Sequence, residues 1–156
     1  MAGIKLQWAK YKRPSPECAP VHAKAAGLYM ICTVSKHEAE AAGYNDALMV
    51  DWRGYVAECT GANIFFVKDG ALHTPIPDCF LDGITRQTVI ELAKDRGIEV
   101  VERHIMPEEV ADMQEVFIVG TAAEVTPINQ IGDVHYQVGE VTRDLLTLYH
   151  NHVRGE

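Results

Sequence analysis

The amino-acid sequence predicts a single mixed α/β domain, and two observations support this prediction. Apolar segments arranged as hairpins alternate along the chain with segments of helical spacing, a pattern typical of a mixed sheet with flanking helices. The chain has 156 residues, 47% of them apolar and 23% charged, which suits one globular domain with one continuous core. The sequence contains no internal repeat that would indicate another architecture.

The first twenty residues are expected to be a connector, followed by the domain itself at residues 21–156. Ile4–Trp8 has the character of an edge strand, and the segment after it holds three prolines, which favour an extended backbone. A helix is predicted over residues 25–42, because apolar residues recur there at helical spacing and Gly43 ends the pattern.

Strands dominate the prediction for the middle of the chain. Residues 46–51 and 55–58 form a hairpin with its turn at Arg53-Gly54, and a second hairpin turns at Lys68–Gly70. The remaining segments are predicted as strands at 63–67, 71–74, 98–103, 115–120, 125–131 and 134–138, and as helices at 85–96, 107–113 and 140–152.

Charge and cysteine content exclude several classes of function. The net charge is −8, and the densest basic cluster, Lys10, Lys12 and Arg13, is expected to be a solvated loop, so nucleic-acid binding is not predicted. The four cysteines and seven histidines show no zinc-type spacing, and no metal site is predicted. The sequence contains neither a signal peptide nor a membrane-spanning segment, and we therefore expect a cytoplasmic protein.

Lys24 lies in the segment Val21–Tyr29, among small and apolar residues. Such surroundings are expected to desolvate its ammonium group and to favour the free amine that Schiff-base chemistry with a carbonyl requires. The alternative is an ordinary surface lysine at the start of a helix, and this segment alone does not decide between them.

Glu58 ends an apolar strand and is followed by small residues up to Asn63. This arrangement places a carboxylate on a surface that a ligand can approach closely. The alternative is a strand-end glutamate that faces water before a turn.

Two further segments are typical of anion binding. Leu81–Arg86 opens the predicted second helix, where the N–H groups of Ile84 and Thr85 can attract a phosphate; the alternative is a plain helix start capped by Asp82 or Thr85. Val119–Pro127 runs from a strand into a loop of small residues whose N–H groups can hold a second anion, or it is simply a tight turn.

Taken together, these four segments resemble the class IV (fold type IV) aminotransferases, and within them the branched-chain amino acid aminotransferases. The similarity runs colinearly from about Gly3 to the C-terminus and is carried by residues 24–27, 58–63, 81–86 and 120–127. It implies a large domain with a partly barrel-like mixed sheet and a pyridoxal 5'-phosphate cofactor. It also implies that residues 1–20 connect to a small N-terminal domain.

The resemblance assigns roles to individual residues. Lys24 would form the Schiff base with the cofactor and carry the proton between the substrate Cα and the cofactor C4′. Glu58 would pair with the pyridine nitrogen, and Tyr29 would hydrogen-bond the phenolic oxygen. The other assigned contacts are Leu81 on the ring face, Ile84, Thr85 and Thr121 at the phosphate, and Thr121 and Ala122 at the substrate α-carboxylate.

The reaction that this resemblance implies is ping-pong transfer of an amino group between a branched-chain amino acid (leucine, isoleucine or valine) and 2-oxoglutarate, by a homodimer or larger homo-oligomer. Gly120–Ala123 favours this type over D-amino acid aminotransferases and, less firmly, over aminodeoxychorismate lyases. A third alternative is a folded half-enzyme without catalysis, because the small domain usually supplies an arginine for the phosphate and much of the substrate pocket.

Overall fold

The computed structural model describes residues 2–155. Within that range, a mixed β-sheet is flanked by three α-helices and one 3-10 helix at Pro107–Asp112. The strands are β1 (Ile4–Trp8), β2 (Asp46–Val50), β3 (Val56–Cys59), β4 (Asn63–Lys68), β5 (Ala71–Pro75), β6 (Val100–Arg103), β7 (Glu115–Gly120), β8 (Glu124–Ile131) and β9 (Val134–His135). The helices are α1 (Ala26–Ala41), α2 (Ile84–Asp95) and α3 (Glu140–Arg154).

The sheet curls so that its two edges approach each other. The strand order is β3-β2-β1-β8-β7-β4-β5-β6, and β9 pairs with β8 outside this path. Ile105 follows β6, the strand at one edge of the sheet. Its carbonyl accepts a hydrogen bond of 2.8 Å from the N–H of Val56 in β3, the strand at the opposite edge. The predicted mixed α/β class and the partly barrel-like sheet are therefore confirmed.

Both faces of the central strands are buried. Along β4, Ile64 and Phe66 contribute to one apolar cluster, whereas Phe65 and Val67 contribute to the other, which also contains residues of α2 and α3. The rings of Phe65 and Phe117 stack with their centroids 5.2 Å apart. Strands buried on both sides have near-continuous apolar runs rather than alternating ones, and this explains the apolar sequence of β4 and β7.

The prediction that Ile4–Trp8 is an edge strand is wrong. β1 lies inside the sheet, parallel to both β2 and β8, and Leu6 is fully buried. In β1, one side chain is buried and the others are partly or fully exposed, as is typical of an edge strand. The two strands that pair with β1 are distant along the chain, so the local sequence does not reveal them. The role of residues 1–20 as a connector to another domain stays a prediction.

Most other elements match their predicted bounds within two residues, and two are shorter or tighter than expected. The strand predicted at 134–138 is limited to β9, and the predicted helix at 107–113 is a 3-10 helix. Helix α1 packs on β2 through Cys32, Ser35 and Ala39. In the described part of the chain, no helix is both long and apolar enough to cross a membrane.

Candidate active site

One end of the sheet carries a cavity of about 520 Å³ that three loops and the segment before α1 surround. Asn63 at the start of β4 pairs with Val119 near the end of β7, so that the loops attached to these ends are neighbours. β5 runs antiparallel to β4 and ends at the same side. The cavity lining includes every site residue predicted from the sequence, namely Lys24, Tyr29, Glu58, Leu81, Ile84, Thr85, Thr121 and Ala122.

Lys24 lies in the short segment that leads into α1. The residue before the helix, Ala25, is extended, and no side chain caps the helix start. The Lys24 side chain is exposed while it lines the cavity, so the expected desolvation by small and apolar neighbours is wrong for this chain.

Glu58 is the largely buried acidic group of the cavity. It lies on β3 between Ala57 and Cys59, which are both buried, and its own side chain is only 13% exposed. Burial raises the pKa of the Glu58 carboxyl to about 8, although the nearby Arg13 guanidinium opposes this rise. The water-facing alternative for Glu58 is therefore excluded. Burial and then the Glu58 charge raise the pKa of Tyr29 as well.

Arg13 is a member of the site that the sequence did not reveal. Its Nε lies 3.5 Å from Glu58 Oε1, and its Nη1 donates to the sulfur of Cys32 at 3.6 Å. The residue is 4% exposed, so the prediction of a solvated basic loop is wrong for Arg13, although Lys10 and Lys12 are exposed. The only available signal was the residue type, because arginine suits buried ion pairs better than lysine does.

The raised pKa of Glu58 predicts a specific dependence of stability on pH. Because the folded chain holds the Glu58 proton more tightly than the unfolded chain does, this group's stabilising contribution is present in full below about pH 4.5 and is lost as the pH rises through about 8. We expect the contribution of Glu58 to the free energy of unfolding of the cofactor-free chain to fall over that range by at most about 1.4 kcal/mol per unit of pKa difference.

Urea unfolding of the wild type and of Glu58→Gln at a series of pH values measures this effect. The amide introduced in Glu58→Gln does not titrate. The difference in unfolding free energy between the two proteins should therefore contain all of the pH dependence that Glu58 causes. Parallel curves for the two proteins would mean that Glu58 titrates with the same pKa in the folded and unfolded chains.

The start of α2 offers unpaired backbone donors to the cavity. Its N-cap is Gly83, and no side chain caps the helix, so the alternative of a cap by Asp82 or Thr85 is wrong. Instead, Asp82 pairs with the buried Arg86 at 2.8 Å. The first N–H groups of a helix have no intrahelical acceptor and attract anions, and here they belong to Ile84 and Thr85.

The turn between β7 and β8 closes another side of the cavity. Thr121 and Ala122 are exposed within it. A Cβ at Gly120 would lie 3.3 Å from the carbonyl oxygen of Gly61, so glycine allows this turn to pack tightly on the loop after β3. The two loops thereby form one continuous wall.

Comparisons with known proteins agree with this geometry. The family model of class IV amino-transferases matches residues 4–131. A probable branched-chain-amino-acid aminotransferase of Rickettsia conorii is 50% identical over 129 residues, which cover 83% of this chain and 44% of the relative. The branched-chain-amino-acid aminotransferase of Pseudomonas aeruginosa is 38% identical over 157 residues, which cover 99% of this chain and 51% of the relative.

Solved structures give the same result. The branched-chain aminotransferase of Thermoproteus uzoniensis with norvaline has a TM-score of 0.96 and 40% identity, covering 98% of this chain and 52% of that one. An aminotransferase from Brucella abortus bound to the co-factor PLP has a TM-score of 0.92 and 36% identity, with 97% of this chain and 55% of that one covered.

In this structure, the loops of a curled mixed sheet bring a lysine, a largely buried carboxyl group and an uncapped helix start to one cavity. This is the fold of a known class of enzymes. The chain belongs to the class IV aminotransferase family, and the fold-type prediction is confirmed. The chain spans about half the length of the curated relatives it matches.

Proposed function

We propose that this chain is the pyridoxal-phosphate-binding domain of a branched-chain aminotransferase, which transfers an amino group between a branched-chain amino acid and 2-oxoglutarate. The observation that carries the proposal is a single cavity lined by the Lys24 amine, the Glu58 carboxyl group and the uncapped start of α2. The names of the relatives support the substrate class, and the PLP bound in the Brucella abortus structure supports the cofactor.

The cavity residues fit the chemistry of pyridoxal phosphate. A phosphate group needs several donors, and the N–H groups of Ile84 and Thr85 together with the Thr121 hydroxyl would supply them. A ring nitrogen that holds a proton needs a buried acidic partner, and Glu58 would take this role. Leu81 would pack on the ring face, and Tyr29 would donate to the phenolic oxygen.

The bound cofactor supplies an electron sink for the carbanion that forms at the substrate Cα. Lys24 Nζ would be the point of covalent attachment and would then move the proton between the substrate Cα and the cofactor C4′. The backbone N–H groups of Thr121 and Ala122 would hold the substrate α-carboxylate. Arg13, whose Nε lies 3.5 Å from Glu58 Oε1, would hold the Glu58 side chain in place.

The test of the proposal is an assay with leucine and 2-oxoglutarate. The chain is assayed alone and together with a separately supplied N-terminal half of the Pseudomonas aeruginosa relative, and we expect turnover in at least the second case. D-alanine and simple amines serve as rival donors. Turnover with D-alanine but not with leucine would favour the D-amino acid aminotransferases instead.

A second candidate function is binding of the cofactor without transamination. Turnover by this chain alone would exclude it. Homo-oligomerisation and a cytoplasmic location stay predictions, which sedimentation and cell fractionation would check.

A further inference from the structure

We propose that Asn63 is a positioning residue, which holds the loop before α2 so that the N–H groups of Ile84 and Thr85 face a phosphate in the cavity. This inference rests on the proposed function, because it concerns the phosphate of the same cofactor. In the sequence, Asn63 only ends the segment of small residues after Glu58, and nothing there indicates a chemical role for it.

The side-chain amide of Asn63 makes both of its hydrogen bonds to the backbone of this loop. Its Nδ2 donates to the carbonyl oxygen of Leu81 at 3.0 Å, and its Oδ1 accepts from the N–H of Gly83 at 3.3 Å. Asn63 is the first residue of β4 and is buried, with 6% exposed. A rigid strand thus holds two points of a loop that has no regular secondary structure of its own.

This contact differs from an ordinary helix cap in the donors that it uses. A capping side chain at position 83 would accept from the second or third N–H of the helix and would therefore occupy donors that an anion needs. Asn63 instead binds the N–H of Gly83, which precedes the helix. The loop is anchored while the N–H groups of Ile84 and Thr85 stay available.

The close contact with Asn63 explains why position 83 is a glycine. Its backbone is in an ordinary extended conformation, with φ −63° and ψ 145°, so conformational freedom does not explain the glycine. A Cβ at this position would lie 2.6 Å from Asn63 Oδ1, a distance that real Cβ atoms do not adopt. Any larger residue at position 83 would therefore force the loop and the Asn63 amide apart, by a shift of one or the other.

The experiment compares dissociation constants for pyridoxal 5'-phosphate and for pyridoxal, which has the same ring and aldehyde but no phosphate. The ratio of the two constants reports the contribution of the phosphate. In Asn63→Ala we expect this preference for the phosphorylated ligand to fall by about tenfold or more, because small displacements of a positioned group are costly. Affinity for pyridoxal itself should change little.

Gly83→Ala tests the same contact without emptying the buried position of Asn63, and it should lower the preference in the same way. The double variant should prefer the phosphorylated ligand as much as Asn63→Ala does, since both changes disrupt the same contact between Asn63 and the loop. The matched control is Thr74→Val, which removes another buried side-chain-to-backbone hydrogen bond, from Thr74 Oγ1 to the Ile64 carbonyl at 2.8 Å. It should leave the preference unchanged.

The outcomes separate this inference from the proposed function. If the wild type does not prefer the phosphorylated ligand, both are overturned. If the wild type has the preference and both Asn63→Ala and Gly83→Ala retain it, only the role of Asn63 is overturned. Equal losses of affinity for the two ligands would show that Asn63 stabilises the fold without directing the phosphate site.

Discussion

Replacement of Lys24 by alanine is expected to abolish covalent attachment of pyridoxal phosphate and to lower transamination by about a thousandfold or more, because one residue supplies both the nucleophilic amine and the proton carrier. After borohydride treatment, mass spectrometry of the wild type should find the pyridoxyl mass on Lys24. In Lys24→Ala that mass should be absent, and the visible absorbance should be lost on dialysis.

The matched control is Lys36→Ala, which removes an exposed lysine of α1 outside the cavity. It should keep both the adduct and the activity of the wild type. A borohydride-stable adduct of equal yield in Lys24→Ala would assign the attachment to another amine and would contradict the central role of Lys24.

Replacement of Glu58 by glutamine is expected to lower turnover by about a hundredfold to a thousandfold, while the affinity for pyridoxal phosphate falls by less than about tenfold. The phosphate donors and Leu81 are untouched by this change, so binding should persist. The neutral amide can still accept a hydrogen bond from the ring nitrogen, but it carries no negative charge to stabilise the protonated form of that nitrogen, so the electron demand of the ring weakens.

Separate measurement of turnover and cofactor affinity in Glu58→Gln checks this expectation, with Glu91→Gln on the exposed face of α2 as the control. Equal losses of turnover and affinity would mean that Glu58 acts only as an anchor. The buried Arg13 also loses its carboxyl partner in this variant, so the free energy of unfolding is measured alongside to separate a folding defect from a catalytic one.

Local patterns were sufficient to predict most elements of the fold. β7 was expected at residues 115–120, and its bounds are Glu115–Gly120, because an apolar run that ends at a glycine needs no distant information. Helix α1 was located within one residue at each end for the same reason. The position of β1 could not be found in this way, since an interior strand differs from an edge strand only in its neighbours.

The candidate site was predicted through resemblance rather than through spacing. Each segment alone had an ordinary alternative, and for Lys24 the expected desolvation was wrong. Arg13 and Asn63 escaped prediction because their roles depend on partners far along the chain. A charged or amide side chain is buried only where folding brings it a hydrogen-bond acceptor or donor. The residues next to it in the sequence do not show which partner that will be.

By itself, the sequence determined the family, the order of the strands and helices along the chain, and the lysine, glutamate and small-residue segments of the cavity. These are properties of short stretches of chain, which periodicity and residue type express directly. Only the tertiary structure decided that Glu58 is buried against Arg13 with a raised pKa, and that Asn63 anchors the start of α2. Burial and long-range hydrogen bonds determine these properties, and both arise when strands distant in sequence come together.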